Sequence, residues 1–207
     1  SLSFFYPELI LTGVIILAIL YDLLIDKSNS GKVGWVLIAG LITVAGAVWM
    51  QETRATTLFT DAIVLDPFST FFKLIVILAT IFVSIVSLES GELDEYRKGE
   101  YFSLLGIVTF GLFLMVSAVD LIMVYLSIEI VSIMSFVLAG YLKQNTRSNE
   151  AALKYVVYGA FSSGIMLFGL SYIYGLTGST NYFQIQQSLA SMGSESHTAI
   201  LMALIMV

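Results

Sequence analysis

The chain has no cysteine and one histidine, His197, among 207 residues. Without thiols, neither a disulfide nor a thiolate-ligated iron–sulfur cluster can be built from these residues. One imidazole excludes a bis-His haem or a His-rich metal site within the chain. Carboxylate-only metal sites stay open in principle, yet no acidic cluster falls inside an apolar run. Electrons, if they are involved, travel in another subunit. Charge is scarce too: 12% of residues are Asp, Glu, Lys or Arg, against about one quarter in a soluble domain. The net charge of −6 argues against nucleic acid as a partner. The first basic residue, Lys27, follows the first apolar run, so the positively charged start of a cleavable signal peptide is not evident.

What the chain has is apolar length. Hydrophobic residues make up 58% and the mean hydropathy is +0.93, which reads as an all-α polytopic membrane helix bundle. About 20 apolar residues cross the hydrocarbon core, and runs of that kind recur. Helices are predicted over about 7–25, 33–51, 67–88, 101–117, 120–142 and 150–174, with a seventh run over 197–207. Ten residues of helix rise about 15 Å, half of a core of about 30 Å. The expectation is therefore six full spans plus the start of a seventh, in a single membrane domain that is part of a longer protein. Pro7 suits a first helical position and Glu8 a first turn, where the helix dipole favours negative charge. Trp35 and Trp49 sit near the two ends of the second run, as interfacial aromatics do. Asp120 and Asn149 are predicted N-caps. The piece NYFQIQQSLASM reads as a short interfacial helix, and Glu52–Asp66 as a long connection.

Lys and Arg set an orientation. Lys27, Lys32, Arg97, Lys98, Lys143 and Arg147 fall in alternate loops, while the opposite loops carry only Arg54. This predicts a multi-pass protein with its N-terminus in the periplasm or lumen.

Three charges lie more than a turn inside the ends of predicted spans. Glu129 lies near the middle of DLIMVYLSIEIVSIMSFVLAGY. A charge at the centre of a membrane helix costs about 2.5–3.5 kcal/mol on insertion scales, and nothing in the local helix needs it. Two readings stand: a group that handles protons, ions or a buried partner, or a permanently protonated acid making one interhelical hydrogen bond. Lys154 lies about one turn inside the sixth run, four residues after Glu150, the favourable order for a helical ion pair. It reads either as a functional cation or as a lysine that reaches the interface and pairs with Glu150. Tyr158 and Ser162 continue its face as supporting candidates. Lys73, two turns into the third run, is predicted to snorkel to the interface, with a supporting functional role as the other reading.

If packing brought Glu129 and Lys154 together, each would alter the other's proton affinity. Unit charges 4 Å apart interact by about 4 kcal/mol at an effective dielectric of 20, equivalent to roughly three pKa units. Desolvation favours the neutral acid and a nearby ammonium favours the anion. Such opposed influences make a switchable charge, which is what a proton relay needs.

The run YLSIEIVSIMSFVLAGYLKQNTRSNEAALKYVVYGAFSSGIMLFGLSYIYGLTGSTN, with DPFSTFFK and YPELIL before it, resembles the antiporter-like membrane subunits of respiratory complex I, the NADH:quinone oxidoreductases. The resemblance covers the whole chain and is most specific at EAALKY and TGST. It implies an antiporter-like fold of which this is the N-terminal half, in a subunit of fourteen helices built on two inverted five-helix repeats. It implies a proton-translocating membrane-arm subunit in a bacterial inner membrane, next to other antiporter-like subunits and the lipid bilayer. NADH, flavin, iron–sulfur clusters and quinone would belong to other subunits, with no redox centre, cofactor or metal in this chain. Glu129 matches the family's glutamate on the fifth helix, whose partner lysine would lie past Val207. Lys154 matches the EAALKY lysine on the sixth helix. Related assemblies share the same features: a multisubunit cation/proton antiporter, a membrane-bound hydrogenase, or a photosynthetic NAD(P)H dehydrogenase-like complex. A purely structural membrane subunit, with Glu129 and Lys154 as packing contacts, is the alternative from another class. A stand-alone membrane enzyme has no nucleophile–base arrangement to support it.

Overall fold

The computed structural model describes residues 4–26, 29–51, 56–91, 93, 98–192 and 197–207. Lys27, Arg54 and Arg97, which contribute to the predicted orientation, lie outside the described residues. The architecture is an all-α membrane helix bundle with one small hairpin. In chain order the elements are α1 (Tyr6–Leu24), α2 (Lys32–Met50), β1 (Thr56–Leu58), β2 (Ile63–Leu65), α3 (Pro67–Leu88), α4 (Lys98–Ser117), α5 (Leu121–Ala139), α6 (Thr146–Thr177), α7 (Tyr182–Ser191) and α8 (His197–Met206). Six of these, α1 to α6, are long and apolar enough to cross a membrane.

The first four helices make one unit. α1 and α3 each pack against both α2 and α4. Leu11, Ile15, Leu37, Leu41, Val44, Phe102 and Phe113 form its buried centre. Outward-facing positions are apolar as well, such as Leu24, Trp49 and Phe82, because their solvent is lipid. α5 then packs on α4, and α6 on α5. Gly111 lets α4 approach α5: a Cβ there would come within 2.9 Å of Ile130 and Val131. α8 packs along α6.

Local chemistry explains where the helices begin. Asp66 accepts from the Ser69 N–H at 2.7 Å while Ser69 Oγ accepts from the Asp66 N–H, a reciprocal cap ahead of Pro67 at the first turn of α3. Asp120 caps α5, accepting from the Ile122 N–H at 2.9 Å. α6 starts four residues earlier than the predicted Asn149 cap. Asn145 is its N-cap, accepting from the Arg147 N–H at 3.0 Å. Asn149 instead lies within the helix and donates to the Lys143 carbonyl at 3.0 Å. At 32 residues, α6 is about 48 Å long and overreaches a hydrocarbon core of about 30 Å. It ends at Gly178, whose φ of +71° gives the left-handed cap that only glycine adopts without cost.

The stretch read as a plain connection contains the antiparallel hairpin β1–β2, with Thr56 opposite Leu65 and Leu58 opposite Ile63. Leu58, Ile63 and Leu65 are buried together with Leu114. The hairpin, the α4–α5 turn and the 178–181 loop are stitched into one layer. The Val119 N–H donates to the Ala62 carbonyl, the Leu121 N–H to the Thr180 carbonyl and the Tyr182 N–H to the Val119 carbonyl, at 2.8–3.0 Å. Asn181 Nδ2 donates to the Asp61 carbonyl at 3.0 Å. Thr180 Oγ1 donates to Asp120 Oδ2 at 2.5 Å. Burial pushes the Tyr182 hydroxyl pKa up, and the charge of Asp120 adds to it.

Asp120 thus holds a helix start and a distant loop at once. Asp120→Ala is expected to cost about 1–2 kcal/mol, the usual loss for an N-cap, with the Thr180 bond lost in addition. A lowered thermal midpoint of the detergent-solubilised protein is the readout, and Asp120→Asn should recover part of it.

Candidate functional site

Glu129 lies near the middle of α5, nine residues past its cap. Its side chain is half-buried. One carboxylate oxygen, Oε1, is buried and has no hydrogen-bond partner among the described residues. One turn earlier on the same helix, Tyr125 is near enough to interact with the carboxylate. Ser127 is fully buried, but its hydroxyl is spent on the Met123 carbonyl at 2.6 Å. Glu129 is therefore a mid-span carboxylate near one tyrosine, and no ion pair joins it to a cation among the described residues.

Lys154 does not join it. Phe136 of α5 stacks edge-on against Tyr155 of α6 at 4.7 Å, and a Cβ on Gly159 would meet the same ring. This register puts Lys154 level with Phe136. Glu129 is seven residues deeper, or about 10 Å along the axis. Lys154 Nζ instead pairs with Glu150 Oε1 at 2.6 Å, and both side chains are about two-thirds exposed. Tyr158 and Ser162 lie on the same exposed side of α6. Ser162 opens onto a cleft of about 380 Å³ between α5 and α6, where Ser132 and Ser163 also contribute. An exposed i,i+4 pair is worth about 0.3–0.5 kcal/mol. Lys154→Met should accordingly leave the thermal midpoint within a degree or two of the parent, and a larger drop would show a contact made elsewhere.

Lys73 departs from expectation. It does not snorkel: it is fully buried, as is Glu8, and its Nζ meets Glu8 Oε1 at 2.5 Å. The ammonium also lies 5.8 Å from the centre of the Phe113 ring. The physical reason is the position of α3 between α2 and α4, which turns Lys73 toward the centre of the four-helix unit, where Glu8 of α1 already points. The second Glu8 oxygen, Oε2, is buried and has no hydrogen-bond partner among the described residues. Reading Glu8 from its helix alone gives only a dipole contact. Its partner is 65 residues away, beyond the reach of local pattern.

Similarity to known proteins runs along the whole chain. Residues 118–207 match the family model described as NADH:quinone oxidoreductase/Mrp antiporter, TM. NADH-quinone oxidoreductase subunit N 2 of Chloroherpeton thalassium is 42% identical over 209 residues, covering 99% of this chain and 41% of the relative. Over residues 118–207 the chain is thus similar to that family, and over nearly its whole length to a relative named as a subunit N. Subunit N of an Anaeromyxobacter species is 38% identical, covering 97% of this chain and 39% of the relative. The chain spans about two fifths of the length of these curated relatives. Its fold recurs in respiratory complex I from Thermus thermophilus with bound aureothin, at a TM-score of 0.75 and 20% identity over 97% of this chain and 42% of that one. It recurs also in the Mrp complex from a Dietzia species, at 0.79 and 18% over 99% of this chain and 23% of that one.

Proposed function

We propose that this antiporter-like chain is part of a proton-translocating membrane-arm subunit of a bacterial NADH:quinone oxidoreductase. The observation that carries the reading is Glu129: a half-buried carboxylate in mid-membrane, one oxygen unpartnered, on a helix matched to relatives named NADH-quinone oxidoreductase subunit N. A carboxylate so placed can take up and release a proton as its surroundings change. Redox chemistry at quinone and NADH takes place in other subunits, and the charge change it produces reaches Glu129 through neighbouring membrane subunits. Lys154, Tyr158, Ser162 and Glu150 serve on the exposed side of α6, where a further cation or subunit can approach. The assembly sits in the bacterial inner membrane, with the N-terminus of the chain on the periplasmic side.

The Mrp likeness supports a second reading, a cation/proton antiporter subunit. Inverted membrane vesicles containing the whole complex separate the two. NADH-driven acidification of the interior without added sodium is the expected result. Sodium-dependent proton exchange with no response to NADH overturns the reading in favour of the antiporter.

A further inference from the structure

The inward face of α3 is its polar one. Its buried residues are Ser69, Lys73, Ile77, Thr80, Ser84 and Ser87, and all but Ile77 are polar. From Ser69 to Ser87 the face climbs about 27 Å, close to the thickness of a hydrocarbon core. Ser69 serves the helix cap. Thr80 Oγ1 bonds Thr109 Oγ1 of α4 at 3.0 Å, and Ser87 Oγ bonds the Tyr101 hydroxyl of α4 at 3.0 Å. Small polar residues commonly seal helix interfaces, and those bonds alone would be such a seal.

Two further atoms do not fit a seal. Glu8 Oε2 and Ser84 Oγ are buried and have no hydrogen-bond partner among the described residues, although their residues are 1% and 0% exposed. Buried polar atoms are as a rule satisfied by protein or by ordered water. The two lie at different heights on one face, toward its opposite ends. Beyond Ser84 the face opens into a cleft of about 300 Å³ whose wall includes Ser87, Ser90, Tyr101 and Ser148. At the other end is the Glu8–Lys73 pair. Ile77, 2% exposed, divides the face into two halves.

We propose that this face is a hydrated proton path through α1, α3 and α4, separate from Glu129, with the Glu8–Lys73 pair as its proton-exchanging site. The proposal rests on the reading that the complex translocates protons. Lys73 Nζ gives a proton to water on the Thr80 side, and its N–H bond breaks. Glu8 Oε2 takes a proton from water on its own side, forming an O–H bond. Transfer from the acid to the amine across the short contact restores the ion pair. One proton has crossed, no electrons have moved, and motion of Ile77 admits the water.

The test compares assembled complexes in inverted vesicles: the parent, the double variant Glu8→Leu/Lys73→Met, Ser84→Ala, and Glu129→Gln as a control. Protons translocated per NADH oxidised are read, with passive proton leak measured in the same vesicles. Ser84 Oγ has no hydrogen-bond partner among the described residues, so a purely structural role predicts no change on its removal. The expected result is a loss of protons per NADH in the double variant and in Ser84→Ala, at parent leak. Parent ratios in both, or a loss explained by raised leak, overturn the path. Should the double variant fail to assemble, Ser84→Ala alone decides. Parent ratios in these two with a loss in Glu129→Gln sink the path and leave the proposed function standing. An absence of redox-driven protons in every preparation, parent included, sinks both.

Discussion

Lys73→Leu is expected to remove most of the assembled protein from the membrane. The ammonium and the Glu8 carboxylate are enclosed in the four-helix unit at 0% and 1% exposure, 2.5 Å apart. Taking away one partner of a buried pair leaves an uncompensated charge, which costs about 3–5 kcal/mol. That is a large part of the 5–15 kcal/mol by which folded domains are stable. The carboxylate can escape only by taking a proton, and its Oε2 already has no partner. Glu8→Leu should be as harmful, since it strands the ammonium beside Phe113. The double replacement should restore assembly, because apolar residues of similar volume commonly substitute for a buried ion pair with little loss. The check is the amount of folded protein after mild detergent extraction, with its thermal midpoint. A single variant as stable as the parent would show that water reaches the pair freely.

Glu129→Gln is expected to reverse that pattern, sparing the fold and removing the activity. Glutamine keeps the shape and a polar end beside Tyr125, while the charge that is costly in mid-membrane is gone. Thermal stability should therefore equal or exceed that of the parent. Redox-driven proton translocation in the assembled complex should fall at least tenfold if the carboxylate is an obligatory stop on the route, a difference of about 1.4 kcal/mol in barrier. NADH oxidation under coupled conditions should fall with it. An assembled Glu129→Gln complex that pumps at the parent rate would make Glu129 a packing residue. Tyr125→Phe is the finer probe: it removes the hydroxyl one turn from the carboxylate, so a smaller loss than in Glu129→Gln is expected.

The spans were legible because lipid imposes a simple demand. A helix facing hydrocarbon must be apolar for about 20 residues, and hydropathy along the sequence reports that directly. Caps were legible where one residue stood alone, as with Asp120. They were ambiguous in KQNTRSN, where two asparagines compete. The choice fell to Asn145 through contacts across the turn, including Ser148 Oγ to the Ala139 carbonyl at 2.7 Å. The hairpin was hidden because two three-residue strands carry no period of their own. Glu129 was legible as an intramembrane charge, but its separation from Lys154 was not. Two consecutive helices can face each other at any rotation, and Phe136, Tyr155 and Gly159 fixed this one. Lys73 was misplaced for a related reason. Distance from the helix end suggested snorkelling, whereas Thr80, Ser84 and Ser87 at helical spacing beyond it marked the same face as the inward one.

The Glu8–Lys73 contact also bears on how the protein is made. Its two halves are 65 residues apart, and synthesis runs at about 5–20 residues per second. Glu8 therefore leaves the ribosome about 3–13 seconds before its cation exists. During that interval the first helix carries a carboxylate that hydrocarbon does not accept, and headgroups or water must hold its end. Completion of α3 is what allows α1 to settle at its final depth. The order of insertion is thus written into a pair of charges: α1 is made before α3 but secured only with it.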